Sequence, residues 1–280
     1  MVSVRRTNPV SKLVRILGVF TLFGLVAVLL VIGVGVWGLH HYTRGLPEYS
    51  KLKDYQPPTL TRLHAGDGRL LAEYAEEQRI FVPVEAMPQL LIHAFIAAED
   101  KNFYSHPGVD LTGIARAAFQ NVLHAGSGRR LIGASTITQQ VAKNFLLTNE
   151  VSIDRKVREA ILAIRIERTL SKQRILELYL NEIFLGERSY GVAAASLNYF
   201  NKALEDLNLA EVSFLAGLPK APNSYHPKRN PNEAIVRRNY VIRRMLEDGY
   251  IDSEQVWAAS GGPVELHDRN HGDAISAPFF

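Results

Sequence analysis

The stretch AAEDKNFYSHPG, residues 97–108, ends an apolar run on two adjacent carboxylates, Glu99 and Asp100, and then brings Phe103, His106 and Gly108 in quick succession. An acid at the end of an apolar helix stands at the edge of a core, where it can take or give a proton. A second acid of interest is Glu159, in IDRKVREAILAIRIERTL (153–170), one helical turn after Arg155. The ordinary reading of that spacing is a helix ion pair worth about 0.2–0.5 kcal/mol. Placed at 100° per residue, Leu162, Ile166 and Leu170 continue one apolar face, and Ile153, Val157, Ile161 and Ile164 make another. The pattern predicts a rod buried on most sides beyond its second turn, with Arg155 and Glu159 at the edge of the core.

A third element is GASTITQQVAKNF (133–145), where Ser135, Thr136, Thr138, Gln139 and Gln140 crowd polar groups at a helix start. Such density serves either capping and solvation or an anion held at the helix N-terminus. Lys143, Arg155 and Lys156 add cations nearby, and Lys220 follows a proline in LPKAPNSYHPKRNP (218–231). Two carboxylates suit acid and base work at a sugar carbon. Cations suit an anionic leaving group, and hydroxyls with point cations suit a sugar attached to phosphate.

These residues need a scaffold, and the sequence describes one. Apolar residues make up 47% of 280, enough for a sizeable core, and with no cysteine there is no disulfide or thiol chemistry. Helices are expected at about 89–99, 111–123, 135–147, 153–170, 172–185, 190–200, 208–218, 232–248 and 253–259, with Asp110, Ser152 and Ser253 as caps. Before them, TRLHAGDGRLLAEY (61–74) reads as a β-hairpin around Asp67-Gly68, and PEYSKLKDYQPPTL (47–60) as an extended stalk. HAGSGRR (124–130) is the expected mobile loop. No metal-ligand spacing is visible.

Residues 16–37, ILGVFTLFGLVAVLLVIGVGVW, carry no charge. At about 1.5 Å per residue they span roughly 33 Å, enough to cross a bilayer. The match to G-x-G-x-x-G at 33–38 falls inside this run and reflects small residues in a membrane helix. Arg5, Arg6, Lys12 and Arg15 precede the run and only Arg44 closely follows it, which places the N-terminus in the cytoplasm and the rest outside. Residues 1–44 hold five of the 32 basic residues and none of the 28 acidic ones, leaving 27 against 28 in the exported part, so no excess charge suggests nucleic acid.

The segments EDKNFYSHPG, GASTITQQVAKN, RKVREA, RILELYLNEIFLG and YGVAAASLNYF resemble, in order and spacing, the peptidoglycan glycosyltransferases of family 51. These are the polymerase modules of class A penicillin-binding proteins and of monofunctional transglycosylases. The resemblance covers roughly 60–260 and implies a mainly α, lysozyme-like glycosyltransferase domain with a small membrane-associated jaw lobe, preceded by one transmembrane helix and a short β-hairpin. It implies lipid II and a growing glycan strand as substrates, membrane lipid and cell-wall synthesis proteins as partners, and phosphoglycolipid inhibitors of the moenomycin type as ligands. Carried across, Glu99 matches the general base, and Glu159 a second essential acid that organises cations around the departing pyrophosphate. Lys143, Arg155 and Lys156 match pyrophosphate and donor contacts, Ser135, Gln140 and Asn144 polar donor-site positions, and Lys220 a basic residue of the last motif. Asp100, Phe103, His106 and Gly108 shape the loop behind Glu99. No cofactor is required, and any divalent cation, magnesium or manganese, is expected to ride on the pyrophosphate.

Ala134 and Asn201 stand where the family commonly has glycine. The expected organisation is a cytoplasmic tail (1–15), a signal anchor (16–38), stalk and hairpin (39–84), the glycosyltransferase domain (85–250) and a linker (251–280) toward a further C-terminal domain. The alternatives are a lytic hydrolase on the same fold and a non-catalytic cell-wall scaffold. The charge asymmetry makes the topology testable. Reporters fused after Arg44 should be active only if they work when exported; activity of a cytoplasm-only reporter there would overturn the orientation.

Overall fold

The structure, a computed structural model, describes residues 9–55, 61–64, 70–74, 78–124, 126, 133–148, 150 and 152–267. Two compact units divide the chain, Met1–Leu46 and Pro47–Phe280. The first contains α1 (Pro9–Thr43), whose 23-residue segment Thr21–Thr43 reaches a mean hydropathy of 2.6 over its most apolar 18 residues. By length and composition this helix can cross a membrane.

The second unit begins with a docked segment where an extended stalk was expected. Ser50–Leu52 form a short 3-10 turn and Leu52 is buried. The Tyr55 ring meets Phe145 edge-on at 4.8 Å, and Arg174 donates to the carbonyls of Leu52 (3.3 Å) and Tyr55 (2.7 Å). Strands β1 (Thr61–His64) and β2 (Leu70–Tyr74) pair antiparallel, as expected of the hairpin, with a register shift between Leu63 and His64. Asp67-Gly68, most of the glycine-rich 124–130 segment and the last residues, 268–280, lie outside the described residues. A short parallel pair, β3 (Gln78–Arg79) with β4 (Ser189–Tyr190), joins the approach to the first core helix to a later loop.

Nine helices follow among the described residues: α2 (Gln89–Glu99), α3 (Leu111–Leu123), α4 (Ile137–Leu146), α5 (Ile153–Glu167), α6 (Lys172–Glu182), α7 (Val192–Phe200), α8 (Leu209–Gly217), α9 (Pro231–Glu247) and α10 (Ser253–Ser260). Each lies where apolar periodicity and caps place it, within a few residues. Asp110 and Ser152 cap α3 and α5 as expected; α10 is capped by Asp252, one residue before Ser253, because Asp252 and Gln255 form a reciprocal capping box. Asn201 ends α7 in the left-handed conformation (φ 51°), which explains why glycine suits that position and why asparagine tolerates it.

Two helix groups result. In one, α2 packs on α8 and α9, with Leu91, Ala94, Phe95 and Ile96 fully buried. In the other, α4 packs on α5 and α6. Helix α5 departs from the expected rod. Its Glu159–Leu162–Ala163–Ile166 side is buried, while Ile153 and Ile164 are exposed, because the neighbours cover one face only. Helix α3 buries Ala117 alone and leaves Leu111, Phe119, Val122 and Leu123 exposed.

The segment before α2 is held by α6. Asn181 accepts from Val82 N–H and donates to Val82 O, both at 2.8 Å; Glu177 accepts from Val84 N–H at 3.0 Å; Glu182 pairs with Arg79. The loop after α2 is held by α5. Gly108 has φ +98°, and a Cβ there would lie 2.7 Å from the backbone of Ala163, one turn beyond Glu159. Gly108→Ala combines left-handed strain with a backbone clash, so it should destabilise by at least ~2 kcal/mol. Urea melts of the purified protein measure this; a loss below ~0.5 kcal/mol would show that the close approach is not required.

Candidate active site

Glu99 and Asp100 are neighbours in sequence and point to different tasks. Glu99 is the last residue of α2, and its side chain is only 13% exposed. One carboxylate oxygen accepts from Gln140 Nε2 at 2.9 Å; the other lies 3.5 Å from Arg237 Nη2. Burial pushes the Glu99 carboxyl above the ordinary glutamate range, and the adjacent Asp100 charge adds to the shift. The Gln140 hydrogen bond and the Arg237 and Lys220 charges pull it the other way. Such a carboxylate can accept a proton near neutral pH.

Asp100 leaves the helix at φ −157°, ψ 73° and turns inward. His106 Nε2 lies 2.9 and 3.0 Å from its two oxygens, and Ile137 N–H, in the first turn of α4, donates to it at 2.9 Å. Gly108 N–H donates to His106 Nδ1 at 3.1 Å, so the ring proton belongs on Nε2, facing the carboxylate. Thr136 Oγ1 donates to Gly108 O at 2.6 Å and caps α4 reciprocally with Gln139. Phe103 is fully buried with Lys172 Nζ 4.5 Å above its ring, and Lys172 also donates to His106 O and pairs with Glu167, which accepts from Thr138. The four residues expected to shape the loop, Asp100, Phe103, His106 and Gly108, therefore form one connected network.

The anion at the N-terminus of α4 is the protein's own Asp100, and Thr136, Thr138 and Gln139 are engaged in capping and loop contacts. Gln140, assigned to a donor sugar, sits on Glu99.

Glu159 lies in the second turn of α5 and is 2% exposed. Its oxygens face Arg155 Nε at 3.1 Å and Lys156 Nζ at 2.7 Å. Lys156 also donates to Ser135 Oγ at 2.6 Å. Two cations on one buried carboxylate leave a local excess of positive charge. The six residues 135–140 thus reach both acids, Glu159 through Ser135 and Lys156, and Glu99 directly through Gln140. Lys143 is half-buried, and Asn144 and Lys220 are exposed. No side-chain hydrogen bond or ion pair engages these three among the described residues, and no three His, Asp or Glu side chains gather there as a metal-ligand set.

The sequence pattern did not reveal two residues at Glu99. Arg237 is buried, donates from Nε to Gly217 O at 2.9 Å, and stacks on Tyr240 with 4.7 Å to the ring centroid. Tyr179, on α6, has a buried hydroxyl without a hydrogen-bond partner among the described residues; burial pushes its proton loss well above the usual range, and the charges of Glu99 and Asp100 add to that. The available signal was the phase of α6, which turns Glu177 and Asn181 toward 82–84 and Tyr179 elsewhere.

A family model described as Transglycosylase matches residues 67–246. Penicillin-binding protein 1A of Rickettsia felis is 53% identical over 256 residues, covering 91% of this chain and 32% of that protein. Penicillin-binding protein 1A of Neisseria lactamica is 48% identical over 238 residues, covering 84% of this chain and 29% of that protein. The chain spans about a third of the length of these relatives. A solved structure of penicillin-binding protein 1A from Haemophilus influenzae is 31% identical, with a TM-score of 0.45 over 76% of this chain and 22% of that one.

The clamp at Asp100 carries a stability prediction. Asp100→Ala strands Ile137 N–H and the His106 proton, and hydrogen bonds to charged groups are worth about 1.5–3 kcal/mol. Chemical denaturation should show a loss of roughly 3 kcal/mol, with Asp100→Asn in between; no loss on Asp100→Ala would remove the clamp from the account.

Proposed function

The chain belongs to the transglycosylase family of peptidoglycan glycosyltransferases, and from that premise we propose that it polymerises lipid II into β-1,4 glycan with release of undecaprenyl pyrophosphate. The observation that carries the reading is the single segment 135–140, which touches an acid of raised proton affinity at one end and, at the other, a lysine that clasps the second acid.

Glu99 is the base. Its carboxylate takes the proton of the acceptor sugar's 4-hydroxyl as that oxygen bonds to the donor's anomeric carbon. The bond from that carbon to the phosphate oxygen breaks, and its electron pair leaves with the pyrophosphate. Attack opposite the leaving group turns an α-linked donor into a β-linked product, so the reaction inverts. A carboxylate of raised proton affinity suits this transfer. Glu159 holds Arg155 and Lys156 in place, so that the excess positive charge meets the developing negative charge on the pyrophosphate. Lys143, Asn144 and Lys220 supply further donors, and a divalent cation would arrive on the pyrophosphate. Exposed apolar side chains on α3 fit an element that meets the membrane holding the lipid-linked substrate. The catalytic unit would lie on the outer face, with moenomycin-type phosphoglycolipids competing for the cationic site and cell-wall synthesis proteins as partners.

Glu99→Gln keeps shape and reach but cannot accept the proton. Lipid II turnover in detergent should fall by ~10²–10⁴ while donor and phosphoglycolipid affinity stay near wild type. Glu159→Gln should lose both turnover and inhibitor affinity, because it releases the cations. A folded Glu99→Gln variant that polymerises within about threefold of wild type would defeat the assignment. Fragments released from purified cell wall, with no polymer from lipid II, would favour the lytic reading.

A further inference from the structure

We propose that Arg237 is a positioning residue for the base: it fixes the direction of the Glu99 carboxylate and favours its charged form. The inference rests on the reading of Glu99 as base, and the geometry behind it is local. Glu99 stands at the end of α2, and α9 packs along that helix. Arg237 reaches from α9 with its side chain 8% exposed and places Nη2 3.5 Å from Glu99 Oε1. Four features hold the guanidinium there. Nε donates to Gly217 O; Tyr240 and Tyr225 lie at 4.7 and 5.8 Å by ring centroid; and a Cβ at position 217 would come within 3.0 Å of Arg237 Cγ, so the glycine leaves room for the stem.

The other groups facing the carboxylate cannot do this work. Gln140, on α4, is neutral and supplies one hydrogen bond. Lys220, after α8, acts as a charge from an exposed position. Asp100, next in the chain, has the wrong sign, and the Tyr179 hydroxyl, on α6, is neutral. Arg237 is therefore the buried cation in direct contact with Glu99. A guanidinium within about 4 Å favours the carboxylate form and lowers its proton affinity. Removing it makes the base harder to ionise, so the acid limb of the pH–rate profile moves to higher pH.

The test is the pH dependence of kcat/KM for lipid II polymerisation in wild type, Arg237→Lys, Arg237→Gln and Gly217→Ala, with melting curves beside each. Arg237→Gln should move the acid limb up by about one unit or more and also lower the high-pH plateau as the carboxylate loses its direction, with KM for lipid II within about threefold. Arg237→Lys should move it less, because the charge remains while the fork geometry is lost. Gly217→Ala displaces Arg237 without deleting it and should also shift the limb, which keeps the proposal testable if Arg237→Gln does not fold. A limb unmoved within about 0.3 units in the folded variants would overturn it, as would a loss confined to the plateau and the melting temperature. If the limb persists unchanged in Glu99→Gln, the assignment of Glu99 itself fails, a distinct result.

Discussion

A single buried carboxylate, that of Asp100, joins the two helix groups at the point where chemistry is needed. It receives the first-turn N–H of α4 and the imidazole proton of His106 while it ends α2. An anion at a helix N-terminus is favourable because unpaired N–H groups and the helix dipole point at it. Here the anion belongs to the protein, so the favourable interaction becomes a joint between helices. Everything at the site follows from where that joint sets α4. Gln140 is brought to Glu99, Ser135 to Lys156, and Thr136 to the Gly108 carbonyl.

Consecutive acids with opposite duties explain why the chain turns so sharply. If the helix continued, Asp100 would point about 100° away from Glu99 around the axis. Turning Asp100 inward sends one charge to hydrogen bonds in the core and leaves Glu99 at the cleft edge. The nearby Asp100 charge still raises the proton affinity of Glu99, so the structural acid also tunes the chemical one.

Much of this was legible before the structure. The core helices follow apolar periodicity with recognisable caps, and the paired acids, the loop residues Phe103, His106 and Gly108, and the Arg155–Lys156–Glu159 cluster stand out by type and spacing. What was hidden depends on which faces meet. Periodicity showed α5 two apolar faces but not that neighbours cover only one, so Ile164 looked buried. The polar run 135–140 could be capping or ligand contact; in the fold Thr136 and Gln139 cap α4, while Ser135, Thr138 and Gln140 reach Lys156, Glu167 and Glu99. The stalk looked extended because its anchor, Arg174, lies far along the chain. Arg237 was invisible for the same reason: an arginine in RRNYVIRRM looks like solvated charge until α9 is laid along α2.

Helix α9 shows why that arginine-rich composition belongs in a core helix. Arg237 and Arg244 are two turns apart on one face, and both meet the C-terminal end of α2. Arg237 approaches the Glu99 carboxylate, while Arg244 Nε lies 3.5 Å from Ala97 O. The last carbonyls of a helix lack intrahelical partners and carry its partial negative charge. Glu99 and Asp100 add two carboxylates at that end of α2, and the Arg237 charge draws the proton affinity of Glu99 back down. Arg238, one residue along and on another face, donates instead to the carbonyls of Ser260 and Gly262 and ties the chain beyond α10 to the same helix. A single helix thus offsets the charge its partner accumulates and anchors the segment just after α10, so its charged residues serve the interior on two sides.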